Sequence, residues 1–204
     1  MTSITLTAEM TFDWKARAGQ RSDEREYDMD LGLRGKSAIV TGGSEGIGKA
    51  TAVRLAQEGA NVLICARRAD VLSEAEAEIR AVAIGEVVGM SADVTSQVDC
   101  DRVIAEAASR FGGVDILINN AGQSAAGSFP DVDTHKWDSD LDLKLMAAVR
   151  FSQAALPFLR ESDSARIVNL TATAGKAPRA SSLPTSVSRA AGIALTKAMS
   201  LDLA

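Results

Sequence analysis

Histidine and cysteine are nearly missing: among 204 residues there is one histidine, His135, and there are two cysteines, Cys65 and Cys100. A zinc site built on histidines is thereby nearly excluded, so no metal is expected. A serine–histidine–aspartate triad would have to use His135, which lies in a polar segment before Lys136 and reads as solvated. The cysteines are too few and too far apart for a disulfide framework or a metal knuckle, and Cys65, inside an apolar run, reads as a small buried side chain. No apolar run reaches the roughly 18 residues of a membrane span, and the amino terminus has no apolar core of a signal peptide. The expected location is therefore the cytoplasm, without a membrane partner. A net charge of -5 with no basic cluster makes nucleic acid an unexpected partner as well.

What the chain does have is enough apolar residue, 46% against 24% charged, for one globular domain with a sizeable core. It also has a glycine-rich turn, Thr41-Gly42-Gly43-Ser44-Glu45-Gly46-Ile47-Gly48, directly after the apolar run Ser37–Val40. Lys49 to Glu58 follows with Ala52, Leu55, Ala56 and Gly59 at helical spacing, so the stretch reads strand, tight turn, helix. Such a turn aims backbone N–H groups and the positive end of a helix at one point, which suits an anion such as a dinucleotide pyrophosphate. Gly42 would permit the turn, Gly46 would let phosphate approach the backbone, and Gly48 would let the helix press on its strand. By itself the triplet is also compatible with a turn that binds nothing.

Before the domain, residues 1–30 carry the charge run Arg21–Glu26 and read as a disordered extension, with Met29 an alternative start of synthesis. The domain itself is expected over 31–204. Strands are expected at 61–65, 86–90, 114–118 and 166–170, and helices at 70–83, 96–111, 141–159 and from 187 onward. Short continuous apolar runs alternating with helices imply a parallel sheet covered on both faces, with ligands at the carboxyl ends of its strands. The fold class is thus α/β, a Rossmann-type doubly wound parallel sheet.

Together the motifs resemble the short-chain dehydrogenase/reductase family over residues 33–204: the Thr41–Gly48 turn, the Asp93-Val94 pair, the tetrapeptide Asn119-Asn120-Ala121-Gly122 and the strand Ile167-Val168-Asn169. The resemblance implies hydride transfer between a bound NAD or NADP and a small carbonyl or alcohol substrate. It places Gly42, Ser44, Glu45, Gly46, Ile47 and Gly48 at the cofactor phosphates, Asp93 and Val94 near the adenine, and Asn119, Ala121 and Gly122 beside the cofactor, bracing the sheet. Family analogy also makes the helix near 141–159 a surface for a homo-oligomer. Relatives continue beyond the last helix with further strands and a substrate lid. Against that pattern the domain reads as lacking its last strands, which would leave 166–170 an exposed edge beside uncovered apolar surface.

Cofactor choice follows from charge. A carboxylate ending the second strand would suit a ribose 2′-hydroxyl, and an arginine there a 2′-phosphate. Ala66 holds the acid position and Arg67 and Arg68 follow it, favouring NADP(H) over NAD(H), while Glu45 counts against. The family's catalytic tetrad is altered throughout: Ala172 stands at the serine position, Thr185 at the tyrosine, Arg189 at the lysine and Lys144 at the asparagine. An aliphatic hydroxyl is a far weaker acid than a phenol, and arginine is a poor proton relay. Lys144 beside Arg189 would make a doubly cationic pocket in which a lysine relays a proton to a carboxylate-bearing substrate. The alternative is a helix-face lysine in solvent. Nearby hydroxyls, Thr171, Thr173, Ser181, Ser182, Ser186 and Ser188, read mainly as turn or capping groups. Three readings result: an NADP-dependent oxidoreductase with non-standard acid/base residues, a cofactor-binding protein without turnover acting through association, or a truncated form.

Overall fold

The computed structural model describes residues 30–203, so the expected amino-terminal extension and the alternative start at Met29 lie outside the described residues apart from Asp30. Five strands form one parallel sheet: β1 (Ser37–Thr41), β2 (Asn61–Ala66), β3 (Val87–Ser91), β4 (Ile116–Asn119) and β5 (Arg166–Asn169), in the order β3-β2-β1-β4-β5. Between and after them run α1 (Gly46–Gln57), α2 (Ala69–Arg80), α3 (Gln97–Phe111), α4 (Thr134–Leu141), α5 (Ala147–Glu161) and α6 (Thr185–Asp202).

The central strands are apolar on both sides because both faces are covered, as parallel sheets require. Ile39, Leu63 and Leu117 point to the layer of α3 and α5, where they meet Val103, Ile104, Phe151 and Ala155. Their neighbours Val40, Ile64 and Ile118 point the other way, to Ala52 and Ala56 of α1 and Leu72, Ala75 and Ile79 of α2. Phe151 has no exposed surface, and burial of a side chain of that size stabilises by about 1.5–3 kcal/mol. Helix ends follow local chemistry: the Ser96 hydroxyl accepts from Asp99 N at 3.3 Å to start α3, Gly112 ends it with φ +82°, and Asp133 accepts from Lys136 N to start α4.

The expected helix at 141–159 differs from the observed one. Helical structure runs from Thr134 to Glu161, and α4 passes into α5 through a π-turn, Asp142–Met146. One extra residue in that turn shifts the phase of the side chains that follow, and such turns concentrate at functional sites. Here it carries Lys144 inward, where only 7% of the residue is exposed.

At the other side of the sheet, β5 is the edge among the described residues, with Val168 45% exposed. A cleft of 580 Å³ opens beside it, lined by Leu156, Leu159, Ala165, Ile167 and Met199. The expectation of an exposed strand beside apolar surface therefore holds for the described residues. No helix among them is long and apolar enough to cross a membrane.

Candidate functional site

The carboxyl ends of β1, β2 and β4 converge on the glycine turn. Thr41 anchors it: its hydroxyl donates to Ile118 O (3.3 Å) and accepts from the backbone N–H groups of Asn120 (3.0 Å) and Ala121 (3.1 Å). The Asn120 side chain donates to Thr41 O (2.8 Å) and Gly42 O (3.0 Å), while Gly42 N donates to Cys65 O (2.8 Å). Gly42 and Gly46 take left-handed φ values of +64° and +55°, which favour glycine. A Cβ built on Gly46 meets nothing within 4 Å, so the space above the turn is open to a ligand.

The expected role of Gly48 changes in detail. A Cβ there would lie 2.3 Å from both Asn120 Nδ2 and Gly42 O, so this glycine lets α1 close onto the turn and Asn120 rather than onto the strand proper. Helix α1 starts with no side-chain cap and no acid in its first turn, leaving its leading N–H groups for an outside acceptor. Ile47, at the mouth of the turn, is 68% exposed. An open approach over Gly46, uncapped helix donors and an apolar flank together fit a dinucleotide pyrophosphate.

Around this centre the other expected cofactor residues divide. Arg67 and Arg68 lie exposed at the end of β2, and Arg68 forms an ion pair with Glu45. Asp93 Oδ1 accepts from Thr95 N (2.9 Å) and Thr95 Oγ1 (2.8 Å), while Val94 is buried among Cys100 and its core neighbours, so Val94 could face a cofactor only through its backbone. Asn119 is inside the fold, donating to Asn169 Oδ1 (2.8 Å) and Ser152 Oγ (3.3 Å), and so ties β4 to β5 and α5. The bracing role expected of 119–122 is present in those bonds and in the grip of Asn120 on the turn.

The substituted tetrad positions do come together. Lys144 Nζ donates to Thr185 Oγ1 at 2.9 Å, and Thr185 Oγ1 also accepts from Ala125 N at 3.1 Å. Arg189 Nη1 donates to Leu170 O at 2.7 Å, and its Nη2 lies 2.8 Å from where a Gly122 Cβ would be, with Lys144 Cγ at 3.5 Å from the same point. Ala172 offers no hydroxyl. Of the surrounding hydroxyls, Ser188 is the one drawn into the cluster.

The residue that sequence reasoning missed is Asp140. It is 3% exposed, forms an ion pair with Lys144, and accepts from Ser188 Oγ at 2.6 Å and, more weakly, from Thr185 Oγ1 at 3.5 Å. The pocket is therefore not doubly cationic, and the electrostatic case for a carboxylate-bearing substrate falls with that. Nor does Lys144 point to solvent, since its side chain is 1% exposed. The one available signal was the i,i+4 spacing of Asp140 and Lys144, which ordinarily marks a solvated helix pair. Burial pulls the Lys144 pKa below the usual lysine value against the opposing hydrogen bond and charge of Asp140, with the charge of Arg189 adding the smallest push in the same direction as burial. Burial likewise lowers that of Arg189, which Asp140 partly restores. The remaining thiols are out of play: burial pushes Cys65 up to about 12 and Cys100 up to about 11, and His135 is exposed on α4.

Comparison with known proteins identifies the family of the chain. An uncharacterized oxidoreductase of Staphylococcus epidermidis is 33% identical over 172 residues, covering 84% of this chain and 73% of the relative. One from Bacillus subtilis is 34% identical over 171 residues, covering 84% of this chain and 64% of the relative. Among solved structures, a short chain dehydrogenase from Burkholderia cenocepacia in complex with NADP is 36% identical, with a TM-score of 0.79 over 84% of this chain and 69% of that one. An NAD+-bound xylitol dehydrogenase is 31% identical, with a TM-score of 0.80 over 84% and 66%. The family model described as short chain dehydrogenase matches residues 36–204. On the turn, the sheet order and this match, the chain belongs to the short-chain dehydrogenase family, whose members are NAD(P)-dependent oxidoreductases.

Proposed function

We propose that this protein binds NADP(H) over the Gly42–Gly48 turn and reduces a small carbonyl, or oxidises the corresponding alcohol, at the Thr185 hydroxyl. The observation that carries the reading is the 2.9 Å bond from Lys144 Nζ to Thr185 Oγ1. The dinucleotide would be held by the backbone of the turn and the start of α1, with Asp93 and the Asn119–Gly122 segment alongside and the Arg67 cation favouring a 2′-phosphate. When bound, it supplies the hydride. The chain supplies the proton. Thr185 Oγ1 accepts from Lys144 and from Ala125 N, and its own O–H, held only by a weak 3.5 Å contact with Asp140 Oδ1, would turn from that contact to donate to the substrate oxygen. As negative charge develops on that oxygen, Thr185 gives up its proton and takes one from Lys144. This concerted relay removes the need for a free threonine alkoxide, which the hydroxyl is too weak an acid to form. Asp140 and Ser188 hold Lys144 in line, and Arg189 adds positive charge near the developing oxyanion.

NADPH oxidation over a carbonyl panel tests this. Turnover is expected from the wild type and should fall by roughly 10²-fold or more in Thr185→Val and Lys144→Met, the range for losing general acid catalysis. Turnover unchanged in both variants would overturn the relay. A second reading, cofactor binding without turnover, is favoured by the missing hydroxyl at Ala172; it predicts NADPH binding with a silent panel. The same proposal includes a homo-oligomer through the 134–161 helix, supported by the exposed apolar side chains of Met146 and Phe158, and a cytoplasmic location, supported by the character of the sequence.

A further inference from the structure

Glu45 is placed where it ought to do harm. It is the N-cap residue of α1, immediately before the first helical residue, and a carboxylate there is drawn to the positive end of the helix. That is the place reserved for a pyrophosphate, which a carboxylate would both displace and repel. Yet Glu45 makes no side-chain cap bond; its backbone is extended, at φ -149° and ψ 165°, and its carboxylate instead meets the Arg68 guanidinium at the end of β2. Arg67, by contrast, has no ion-pair partner among the described residues. The two arginines are thus adjacent in sequence and unequal in state.

We infer that Arg68 is a positioning residue: it holds the Glu45 carboxylate away from the α1 amino terminus so that the dinucleotide phosphates can enter, while Arg67 is the cation left for the 2′-phosphate. The inference rests on the reading of this turn as a dinucleotide site. It separates two jobs that the sequence pair Arg67-Arg68 leaves merged. Removing Arg68 lets Glu45 fall back onto the helix end and hinders any dinucleotide, whether or not it carries a 2′-phosphate. Removing Arg67 hinders only the one that does.

Fluorescence titration of the full chain with NADPH and with NADH tests this without any turnover. Arg68→Met should weaken both by roughly fivefold, the upper end of a single charge acting at a helix terminus. Glu45→Gln in the same chain should then restore NADH binding to within about twofold of wild type, since the competing charge is gone. Arg67→Met should weaken NADPH and leave NADH unchanged. Both arginines are exposed, so the variants are expected to unfold at the wild-type temperature. A result in which Arg68→Met weakens NADPH alone and Glu45→Gln does not rescue it would overturn the inference and make Arg68 a direct phosphate ligand. Wild-type protein that binds neither cofactor would instead overturn the reading of the site on which the inference stands.

Discussion

Replacing Asp140 with alanine puts the buried cluster to its hardest test. Asp140 accepts from Lys144, from Ser188 at 2.6 Å and weakly from Thr185, and both members of the ion pair have side chains 1% exposed. Alanine leaves an ammonium in the interior with no counter-charge and a serine hydroxyl with only the Thr185 carbonyl to meet. Breaking a buried ion pair on one side costs about 3–5 kcal/mol. For a domain of this size each kcal/mol shifts the midpoint by about 2–4 °C, so Asp140→Ala should lower Tm by roughly 6–20 °C. Adding Lys144→Met to the same chain removes the stranded charge. An ion pair replaced on both sides by apolar groups is often nearly neutral, so the double variant should recover most of the loss. The assay is thermal and urea denaturation of the two single variants and the double. A Tm within about 2 °C of wild type for Asp140→Ala, below the smallest shift that a loss of this kind produces, would refute the cluster as a buried unit. So would losses that simply add in the double variant.

Three further outcomes follow from the same geometry. Because burial holds the Lys144 pKa in the folded protein below the unfolded value of about 10.4, the unfolded chain binds more protons between the two, and stability must rise with pH across that window. Urea midpoints measured as pH rises toward the unfolded lysine value of about 10.4 should show that rise in the wild type and a flatter trend in Lys144→Met. Gly48→Ala drives a methyl to 2.3 Å from Gly42 O and Asn120 Nδ2; a loss of about 1–3 kcal/mol in urea denaturation is expected, together with weakened NADPH binding in titration. Thr41→Val keeps the shape of the side chain but strands the N–H of Ala121, while Asn120 N keeps its 3.1 Å bond to Ile118 O, and should cost about 1–3 kcal/mol by the same denaturation assay.

Why some of this was legible in the sequence and some was not has a physical answer. The strands matched to within a residue or two because a parallel sheet buried on both faces must be written as short continuous apolar runs, such as Ser37–Val40 and Asn61–Cys65. The phosphate turn was legible because left-handed backbone and close approach leave glycine little competition at Gly42 and Gly48. Lys144, Thr185 and Arg189 were brought together correctly by family position, but their environment was not. The π-turn that swings Lys144 inward has no sequence signature of its own, and Asp140 looked like any acid one turn before a lysine. The pairing of Glu45 with Arg68 joins residues 23 apart through the packing of two strand ends, which no periodicity within either segment reports.

Everything proposed for this chain depends on the β1–α1 turn gripping a dinucleotide. The direct measurement is NADPH and NADH titration of folded wild-type protein beside Gly46→Val, a substitution that sets a branched side chain at φ +55° in the space left open over the turn. The wild type should bind saturably, tighter to NADPH than to NADH, and the variant should bind neither. A folded wild type indifferent to both dinucleotides would contradict the account at its root.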